Sequence, residues 1–256
     1  MCLRRGALCL WRRATCLRRG ERGSFGVLTT EAFAGNPIRE MFDRICGRYD
    51  LLNRVLSFGA DPYWRWRAVR ALGVRPGESV LDLCCGTGDL SKAMAAAVGP
   101  AGRVVGVDFA SQMLEIARVK CPQLTFLQGD ACAVPLDEKF DHACLAFGPR
   151  NIPDLDKLWK EMQRLVKPGG RVLSLELTRP RGLLGLFHRF YLTVVVPVVG
   201  NLLSGDRQAY NYLQRTIKGF LDAQALAETM RAAGLQDVRI IPLMGGIATL
   251  HVATVP

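Results

Sequence analysis

The stretch that decides the fold is Val80-Leu-Asp-Leu-Cys-Cys-Gly-Thr-Gly-Asp89, a short apolar run followed by a glycine-rich turn. Ser79–Leu83 predicts a buried strand, and Asp89–Val98 predicts a helix. Gly86 and Gly88 lack side chains, so the backbone between the strand and the helix can approach a ligand closely. The start of the helix offers unpaired N–H groups to the same ligand. This stretch therefore predicts a binding loop at the end of a strand.

Carboxylates around this loop narrow the ligand class. Asp108 ends the next predicted strand, twenty residues after Gly88, where a carboxylate can bind both hydroxyls of a ribose. Asp82 precedes the loop, and its charge would repel a pyrophosphate but suits a ligand with an ammonium or sulfonium group. A dinucleotide fingerprint would have its third glycine where this chain has Ser91. A nucleoside with a positive charge is favoured, and a nicotinamide-dependent reductase stays as the alternative.

The rest of the chain alternates strands and helices with short connections, which indicates an α/β fold with a mostly parallel sheet covered on both faces. Ser111 is the expected N-cap of the helix over Ser111–Lys120, and Lys167–Gly170 is expected to form a turn before a strand. The predicted strands are Ser79–Leu83, Arg103–Asp108, Leu124–Gln128, His142–Phe147, Arg171–Leu177, Val238–Pro242 and Thr249–Val255. The predicted helices are Ile38–Leu72 with a break at Gly59–Pro62, Asp89–Val98, Ser111–Lys120, Asp156–Val166 and Asp222–Ala233.

The segment from Thr178 to about Ile217 interrupts this alternation. It contains an apolar stretch from Leu183 to Leu203, in which His188, Arg189, Pro197 and Gly200 argue against a membrane-spanning helix. We expect a buried cover over the sheet, with an amphipathic lid that touches lipid as the alternative. A bulky apolar substrate would suit either.

Composition excludes several classes of protein. The chain has 256 residues, of which 49% are hydrophobic and 22% charged, which indicates one sizeable folded domain with an appendage. Nine cysteines are irregularly spaced without a CxxC pair, so we predict a reducing compartment and no metal site. The net charge is +11, but seven arginines lie within the first 35 residues. No dense basic stripe remains elsewhere, so no nucleic-acid partner is expected.

Residues 1–36 form a basic extension outside the predicted domain, which covers residues 37–256. The first twenty residues contain no acidic side chain, which is typical of an organelle transit peptide. An extended start of translation and a basic arm on a membrane surface are the alternatives. A transit peptide would place the protein inside an organelle; otherwise we expect it in the cytoplasm, associated with a membrane.

The glycine loop, Asp108 and Gly129-Asp130-Ala131 together resemble motifs I to III of class I S-adenosylmethionine-dependent methyltransferases. This resemblance implies a Rossmann-like sheet of seven strands in the order 3-2-1-4-5-7-6, and S-adenosyl-L-methionine as the cofactor. Cys84 stands where such enzymes commonly have their first glycine, which puts backbone contact there in question. The cofactor-binding residues implied are Asp82, Gly86, Thr87 and Gly88 around the methionine part, Asp108 at the ribose, Asp130 and Ala131 at the adenine, and Ala146.

Further motifs resemble the C-methyltransferases of ubiquinone and menaquinone biosynthesis, over about Pro37 to His251. The chain departs from that pattern at Asp61, Pro149 and Leu221. The matching motifs are Tyr49-Asp50-x-x-Asn53-x-x-x-Ser57-x-Gly59 with Trp64-Arg65, Phe147-Gly-Pro-Arg-Asn151 with Asp154, Tyr210-x-Tyr212-Leu213, Gly245-Gly246 and Leu250-His251.

That resemblance implies methyl transfer to a ring carbon of a polyprenylated or phytylated quinol. Arg150 would stabilise the phenolate and Asn151 would hold the hydroxyl, unless both only organise a loop. Tyr49 and Asp50 either close the pocket or form an ordinary cap and core pair. At most one of Tyr210 and Tyr212 would line the apolar pocket, because residues two apart on a helix face apart. His251 is expected to be structural, with a base role as the alternative.

Demethylmenaquinol is the first choice of substrate, and the benzoquinol 2-methoxy-6-polyprenyl-1,4-benzoquinol of ubiquinone biosynthesis is the alternative. A methyltransferase acting on RNA or a small metabolite, and a non-catalytic partner that binds lipid quinones, are the other readings. A polyprenyl quinol and a peripheral membrane contact are the expected partners. The oligomeric state is left open, with a homodimer as one option.

Overall fold

The computed structural model describes residues 36–204 and 207–256, and leaves the side chains of 201–204, 207 and 210 outside its description. Its centre is a seven-stranded sheet in the order β3-β2-β1-β4-β5-β7-β6, which confirms the predicted order. In chain order the elements are α1 (Pro37–Leu56), α2 (Asp61–Leu72), β1 (Ser79–Leu83), α3 (Asp89–Val98), β2 (Arg103–Asp108), α4 (Ser111–Lys120), β3 (Thr125–Gln128), β4 (Phe140–Ala146), α5 (Leu155–Leu165), β5 (Val166–Leu177), α6 (Gly182–Phe190), a π-helical turn (Tyr191–Val195), α7 (Val196–Ser204), α8 (Arg207–Gly219), α9 (Ala223–Ala232), β6 (Gln236–Leu243) and β7 (Ala248–Thr254).

The direction of the strands puts the binding loop at a switch point of the sheet. Strand β1 pairs in parallel with β2 on one side and with β4 on the other, so successive connections leave it in opposite directions. Open α/β sheets bind their ligands at such a point, outside the carboxyl ends of the strands. Strand β7 runs antiparallel between β5 and β6 and closes the far edge.

Helices cover both faces of the sheet, which explains why the central strands are apolar throughout rather than alternating. On one face the fully buried Trp159 and Met162 of α5 pack with Met230 of α9. On the other face Leu72 of α2 and Met94 of α3 are fully buried. Both layers hold the loop after β1 rigidly between strand and helix.

Two local predictions are wrong. The N-cap of α4 is Ala110 rather than Ser111, and it makes no side-chain cap bond. Instead the Asp108 carboxylate accepts the N–H of Ala110 at 2.8 Å, so a residue of the preceding strand replaces the cap. Strand β5 begins at Val166, so the predicted turn at 167–170 is part of the strand.

The prediction of a buried cover over residues 178–217 is also wrong. The continuous helix through α6, the π-helical turn and α7 packs only its inner side on α1, through Leu192 and Val196. Most of its large apolar side chains are exposed, and 11% of the stretch over Gly182–Gly200 is buried. By length and composition this stretch meets the criteria for a membrane-spanning helix. The amphipathic alternative fits the exposure, because one side of the helix is packed and the other faces outward.

Candidate active site

The loop after β1 is fixed by Asp108 at the end of β2. The N–H of Gly86 donates to Asp108 Oδ2 at 2.8 Å, and the other carboxylate oxygen accepts from Ala110. Gly86 and Gly88 have φ of 55° and 82°, where a side chain is strained, so both positions favour glycine. Burial raises the pKa of Asp108 to about 6 despite these donors. Asp108 therefore holds the loop and keeps a carboxylate at the wall of the cavity.

Asp82 lies fully buried beneath the same loop. The hydroxyl of Ser91 donates to Asp82 Oδ2 at 2.5 Å, which gives a physical role to the residue that replaces the third glycine of a dinucleotide site. Burial raises the pKa of Asp82 to about 7. A cationic ligand nearby would favour the charged form and lower that pKa. The carboxylate is thus placed to respond to a positive charge above the loop.

Cys84 shows how the chain accommodates its departure from glycine. Its φ is 52°, in the left-handed region that favours glycine. Its side chain fills space beside Gly148, where an added Cβ would lie 3.0 Å from the Cys84 sulfur. Burial raises the pKa of the Cys84 and Cys85 thiols well above their usual range, so both stay protonated. This agrees with packing rather than nucleophilic roles for the cysteines.

A cavity of about 620 Å³ opens above the carboxyl ends of β1 to β4. Thr87 and Asp82 line a small adjoining cavity of about 20 Å³, which shares Cys84 and Gly86 with the large one. Gly88 has a different role: an added Cβ would lie 3.2 Å from the Phe126 ring and from Ala117, so this glycine permits the close packing of α3. The predicted cofactor residues that line the large cavity are Gly86, Asp108, Asp130, Ala131 and Ala146.

Helix α1 crosses the loop and is tied to it by ionic contacts. Asp50 Oδ1 accepts the Thr87 hydroxyl at 2.5 Å, and its second oxygen lies 2.7 Å from Lys120 Nζ. Lys120 also donates to Asp89 at the start of α3 and, at 3.3 Å, to Thr87. Sequence reasoning named Asp50 but missed Lys120, because nothing local marks the last residue of α4 as a neighbour of α1. We call these four residues the α1 latch.

A second cavity of about 280 Å³ lies beside the first and is almost entirely apolar. Tyr49 of α1 and Phe147 after β4 line both cavities, so the two spaces meet at these rings. Burial raises the pKa of the Tyr49 phenol, which keeps it neutral near pH 7. The walls of the second cavity come from α1, α2, α6, the π-helical turn and α8, which are distant in sequence.

Arg150 sits where the cavities meet, in the 3-10 turn Pro149–Asn151, and lines the apolar one. Its Nη1 donates to Glu176 Oε1 at 2.5 Å, with 7% and 0% of the two side chains exposed. Its Nε is buried without a hydrogen-bond partner among the described residues. Such an orphaned donor is costly unless a ligand satisfies it. Glu176 was missed from the sequence, although a carboxylate within the apolar strand β5 was the available signal.

Asn151 lines the cofactor-side cavity and is held by two contacts. Its Oδ1 accepts the Tyr212 hydroxyl at 2.9 Å, and its Nδ2 donates to the Phe147 carbonyl at 3.4 Å. The side chain of Tyr210 lies outside the described residues. His251 is fully buried in β7 and bonds the Ala223 carbonyl at 2.8 Å, away from both cavities, as expected for a structural histidine.

The sequence profile of the ubiE/COQ5 methyltransferase family matches residues 30–255. The chain belongs to this family. Demethylmenaquinone methyltransferases from Bacillus cereus (strain AH187) and Bacillus thuringiensis subsp. konkukian (strain 97-27) are each 36% identical to it over 227 residues, covering 86% of this chain and 95% of theirs. The predicted family resemblance is thereby confirmed.

Solved structures share the fold of this ubiE/COQ5 family member. A SAM-dependent methyltransferase from Thermotoga maritima has a TM-score of 0.62 at 20% identity, covering 86% of this chain and all of that one. Phosphoethanolamine N-methyltransferase 2 of Haemonchus contortus, solved with S-adenosyl-L-methionine, has a TM-score of 0.58 at 16% identity, with coverage of 90% and 61%. These matches confirm the class I methyltransferase fold.

The cofactor of the family is S-adenosylmethionine, and the residues present fit it. The loop cavity is large enough for a nucleoside with an amino-acid tail. Asp82 and Asp108 supply negative charge in a buried setting that suits a sulfonium and an ammonium. Asp108 can also face ribose hydroxyls. The prediction of S-adenosyl-L-methionine is therefore confirmed.

Proposed function

We propose that this ubiE/COQ5 family member methylates a ring carbon of a polyprenylated naphthoquinol and so converts demethylmenaquinol to menaquinol. The observation that carries the proposal is the meeting of a polar cofactor cavity and an apolar cavity at Tyr49 and Phe147, with Arg150 at the junction. The relatives from Bacillus that carry the name demethylmenaquinone methyltransferase support this choice of ring.

The chain's part in the chemistry is positioning and electrostatics. S-adenosylmethionine, when bound, supplies an electrophilic methyl group on a sulfonium. The apolar cavity would hold the ring so that one carbon faces the cofactor cavity across the Tyr49 and Phe147 rings. Such alignment can contribute about 7–11 kcal/mol to lowering the barrier. This exceeds what a single general base commonly supplies, so alignment is the larger contribution. The hydroxyl proton and, after methyl transfer, the hydrogen of the methylated ring carbon would still pass to an acceptor, and water reaching the cavities can serve as one.

Arg150 supports the proposal because its guanidinium can stabilise a phenolate. The ring carbon becomes nucleophilic when its neighbouring hydroxyl loses a proton and forms that phenolate. The buried Nε of Arg150 has no partner among the described residues and can donate to the resulting phenolate oxygen. Glu176 holds the guanidinium from the other side. Asn151, fixed by Tyr212, can hold the hydroxyl on the cofactor side. Only the reduced quinol has these hydroxyls, so the quinone is not the substrate.

Water exclusion depends on α1, which places Tyr49 over the junction while the α1 latch fastens it to the cofactor loop.

Two of the residues that depart from the family pattern lie in different places. Asp61 lines the apolar cavity and pairs with Arg65 at 2.9 Å, whereas Leu221 packs against the sheet core. Because a departure from the family pattern lies in the cavity proposed for the ring, the benzoquinol of ubiquinone biosynthesis is the comparison substrate in the test.

The test incubates the full chain with methyl-labelled S-adenosylmethionine and, separately, with reduced demethylmenaquinol and reduced 2-methoxy-6-polyprenyl-1,4-benzoquinol. We expect label in the naphthoquinol and none when its quinone form is supplied. Label in the benzoquinol alone would move the enzyme to ubiquinone biosynthesis. Cofactor binding without label in either ring would overturn the quinol assignment.

A further inference from the structure

The outward side of the helix through α6 and α7 carries a continuous apolar stripe. Its members recur every three or four residues, so they share one side of the helix. Leu183 and Leu186 are 71% and 66% exposed, and Phe187 and Phe190 are 63% and 61% exposed. Large contiguous apolar patches are rare on soluble monomers and mark contact sites. The α6 stripe consists of Leu183, Leu186, Phe187, Phe190, Val194 and Val198.

The same helix separates two openings. Leu184 and Phe187 line the apolar cavity, together with the exposed Phe58 and Met244. Gly185 and Arg189 line a different cavity of about 410 Å³. The mouth of the apolar cavity is therefore continuous with the α6 stripe, because Phe187 belongs to both.

The cavity of 410 Å³ is basic. Among the described residues its lining includes Arg179, Arg189 and Lys218 and no carboxylate. Burial lowers the pKa of His188, which also lines it, so the positive charge comes from the other three side chains. Arg179 is oriented by donating to the carbonyls of Lys218 and Phe220, at 2.7 and 2.9 Å. Asp222 lies within electrostatic reach of these arginines: its pKa is lowered first by the N–H of Ala225 and further by Arg181 and Arg179.

Charge selects the partner that this surface fits. Among the described residues from Leu177 to Gly200 the chain has three arginines and no aspartate or glutamate, so the helix that carries the stripe and the segment before it contribute positive charge and no negative charge. Exposed apolar side chains bordered by arginines are typical of helices that lie in the interface of an anionic bilayer. The inner side of this helix is fastened to the domain, since Tyr191 Oη donates to the Leu56 carbonyl at 2.8 Å. A helix attached along one side lies on a membrane rather than crossing it.

We infer that the α6 stripe docks this enzyme on an anionic lipid bilayer, with a lipid headgroup phosphate in the basic cavity and the mouth of the apolar cavity opening towards the acyl chains. The inference rests on the proposed function for its purpose, because a polyprenyl tail resides in the bilayer and would enter through that mouth. The docking itself depends only on the surface described.

The test measures sedimentation of the full chain with vesicles of phosphatidylcholine alone and with 30 mol% phosphatidylglycerol. We expect binding to the anionic vesicles only. The double variant Leu186→Gln/Phe190→Gln should weaken that binding about 100-fold or more. Each substitution removes a large apolar side chain that would otherwise be buried among the acyl chains. Val119→Gln is the matched control, because Val119 is 82% exposed on α4, away from the stripe, and should leave binding unchanged.

The charge arm uses Arg189→Gln, which should weaken binding about fivefold at low salt, against Lys139→Gln at the opposite end of the sheet. Inorganic phosphate at 50 mM should not compete if the site is a headgroup site organised by the bilayer. Full competition by free phosphate would overturn the lipid assignment.

Two outcomes separate this inference from the proposed function. If the double variant changes the sedimentation-velocity mass of the protein and not its vesicle binding, the stripe joins two copies of the chain and the inference fails. A wild-type protein that methylates soluble tail-free naphthoquinol but ignores vesicles also contradicts docking while the function stands. Vesicle binding without methylation of any quinol would leave docking intact and remove the function.

Discussion

The cofactor side and the substrate side of this enzyme are built differently. At the cofactor cavity, Asp108 and Asp82 are buried and every carboxylate oxygen named there has a donor within the chain. At the apolar cavity, the buried Nε of Arg150 has no hydrogen-bond partner in the part of the chain that the structure describes, and large apolar side chains stand exposed around the mouth. The first region is preorganised for one ligand, whereas the second is completed only by what binds to it.

The largest expected effect tests the preorganised side. The Asp108 carboxylate accepts two backbone N–H groups, one on each oxygen. Asp108→Asn replaces one of these oxygens with an NH2 group, which cannot accept, and it removes the charge facing the ribose. We expect binding of S-adenosylhomocysteine to weaken about 100-fold or more, measured by calorimetry. Asp137→Asn, on an exposed loop, is the control. An affinity within threefold of wild type would mean that the cofactor does not use this carboxylate.

The next effect tests the incomplete side. Arg150→Lys keeps a positive charge beside Glu176 but loses the Nε donor. We expect kcat to fall about 10- to 100-fold with the cofactor affinity unchanged, because a lysine cannot serve both partners in the guanidinium geometry. Arg164→Lys on α5 is the matched surface control. An unchanged kcat with lowered thermal stability would reduce Arg150 to a brace of the loop.

A smaller effect concerns the contact between the two sides. Lys120→Gln breaks the α1 latch, whose side chains are partly exposed and therefore screened by solvent. We expect the cofactor to bind about threefold to tenfold more weakly at 50 mM NaCl, and the difference to shrink at 500 mM. Lys160→Gln removes an exposed pair on α5 and should change nothing. A salt-independent loss would point to misfolding instead of an ionic latch.

The smallest effect is a pH dependence of stability from Asp82. Its pKa is raised from 3.8 to about 7, so the folded state holds a proton that the unfolded state releases near pH 4. That stability is present at low pH and is lost as the pH rises through 7. Between pH 6 and 8 we expect the Tm of the cofactor-free protein to fall about 3 °C more than that of Asp82→Asn.

The histidines make this comparison necessary. Burial lowers the pKa of His142, His188 and His251, and their effect on stability has the opposite sign as the pH falls below about 6.5. They are the same in both proteins, so the difference between wild type and variant isolates Asp82. If the Tm of the wild-type protein and of Asp82→Asn changes equally between pH 6 and 8, Asp82 is already charged at pH 6.

The sequence by itself determined the α/β class, the loop after β1 and the chemistry of its ligand, while the order of the strands was implied by the resemblance to class I methyltransferases. These depend on residues close together in the chain: the period of the apolar residues, the glycines at positive φ, and carboxylates that end consecutive strands. The sequence also predicted a helix from Ile38, and α1 begins one residue earlier at Pro37, where Asn36 caps it.

Only the tertiary structure decided which side chains meet across long separations. Lys120 reaches Asp50 from 70 residues away, and Glu176 reaches Arg150 across the sheet from the neighbouring strand β5. The exposure of the α6 stripe was also hidden, because an apolar run looks the same whether it packs on protein or faces outward. Burial depends on what packs against a residue, and those neighbours are often distant in the chain, so the local sequence does not reveal it.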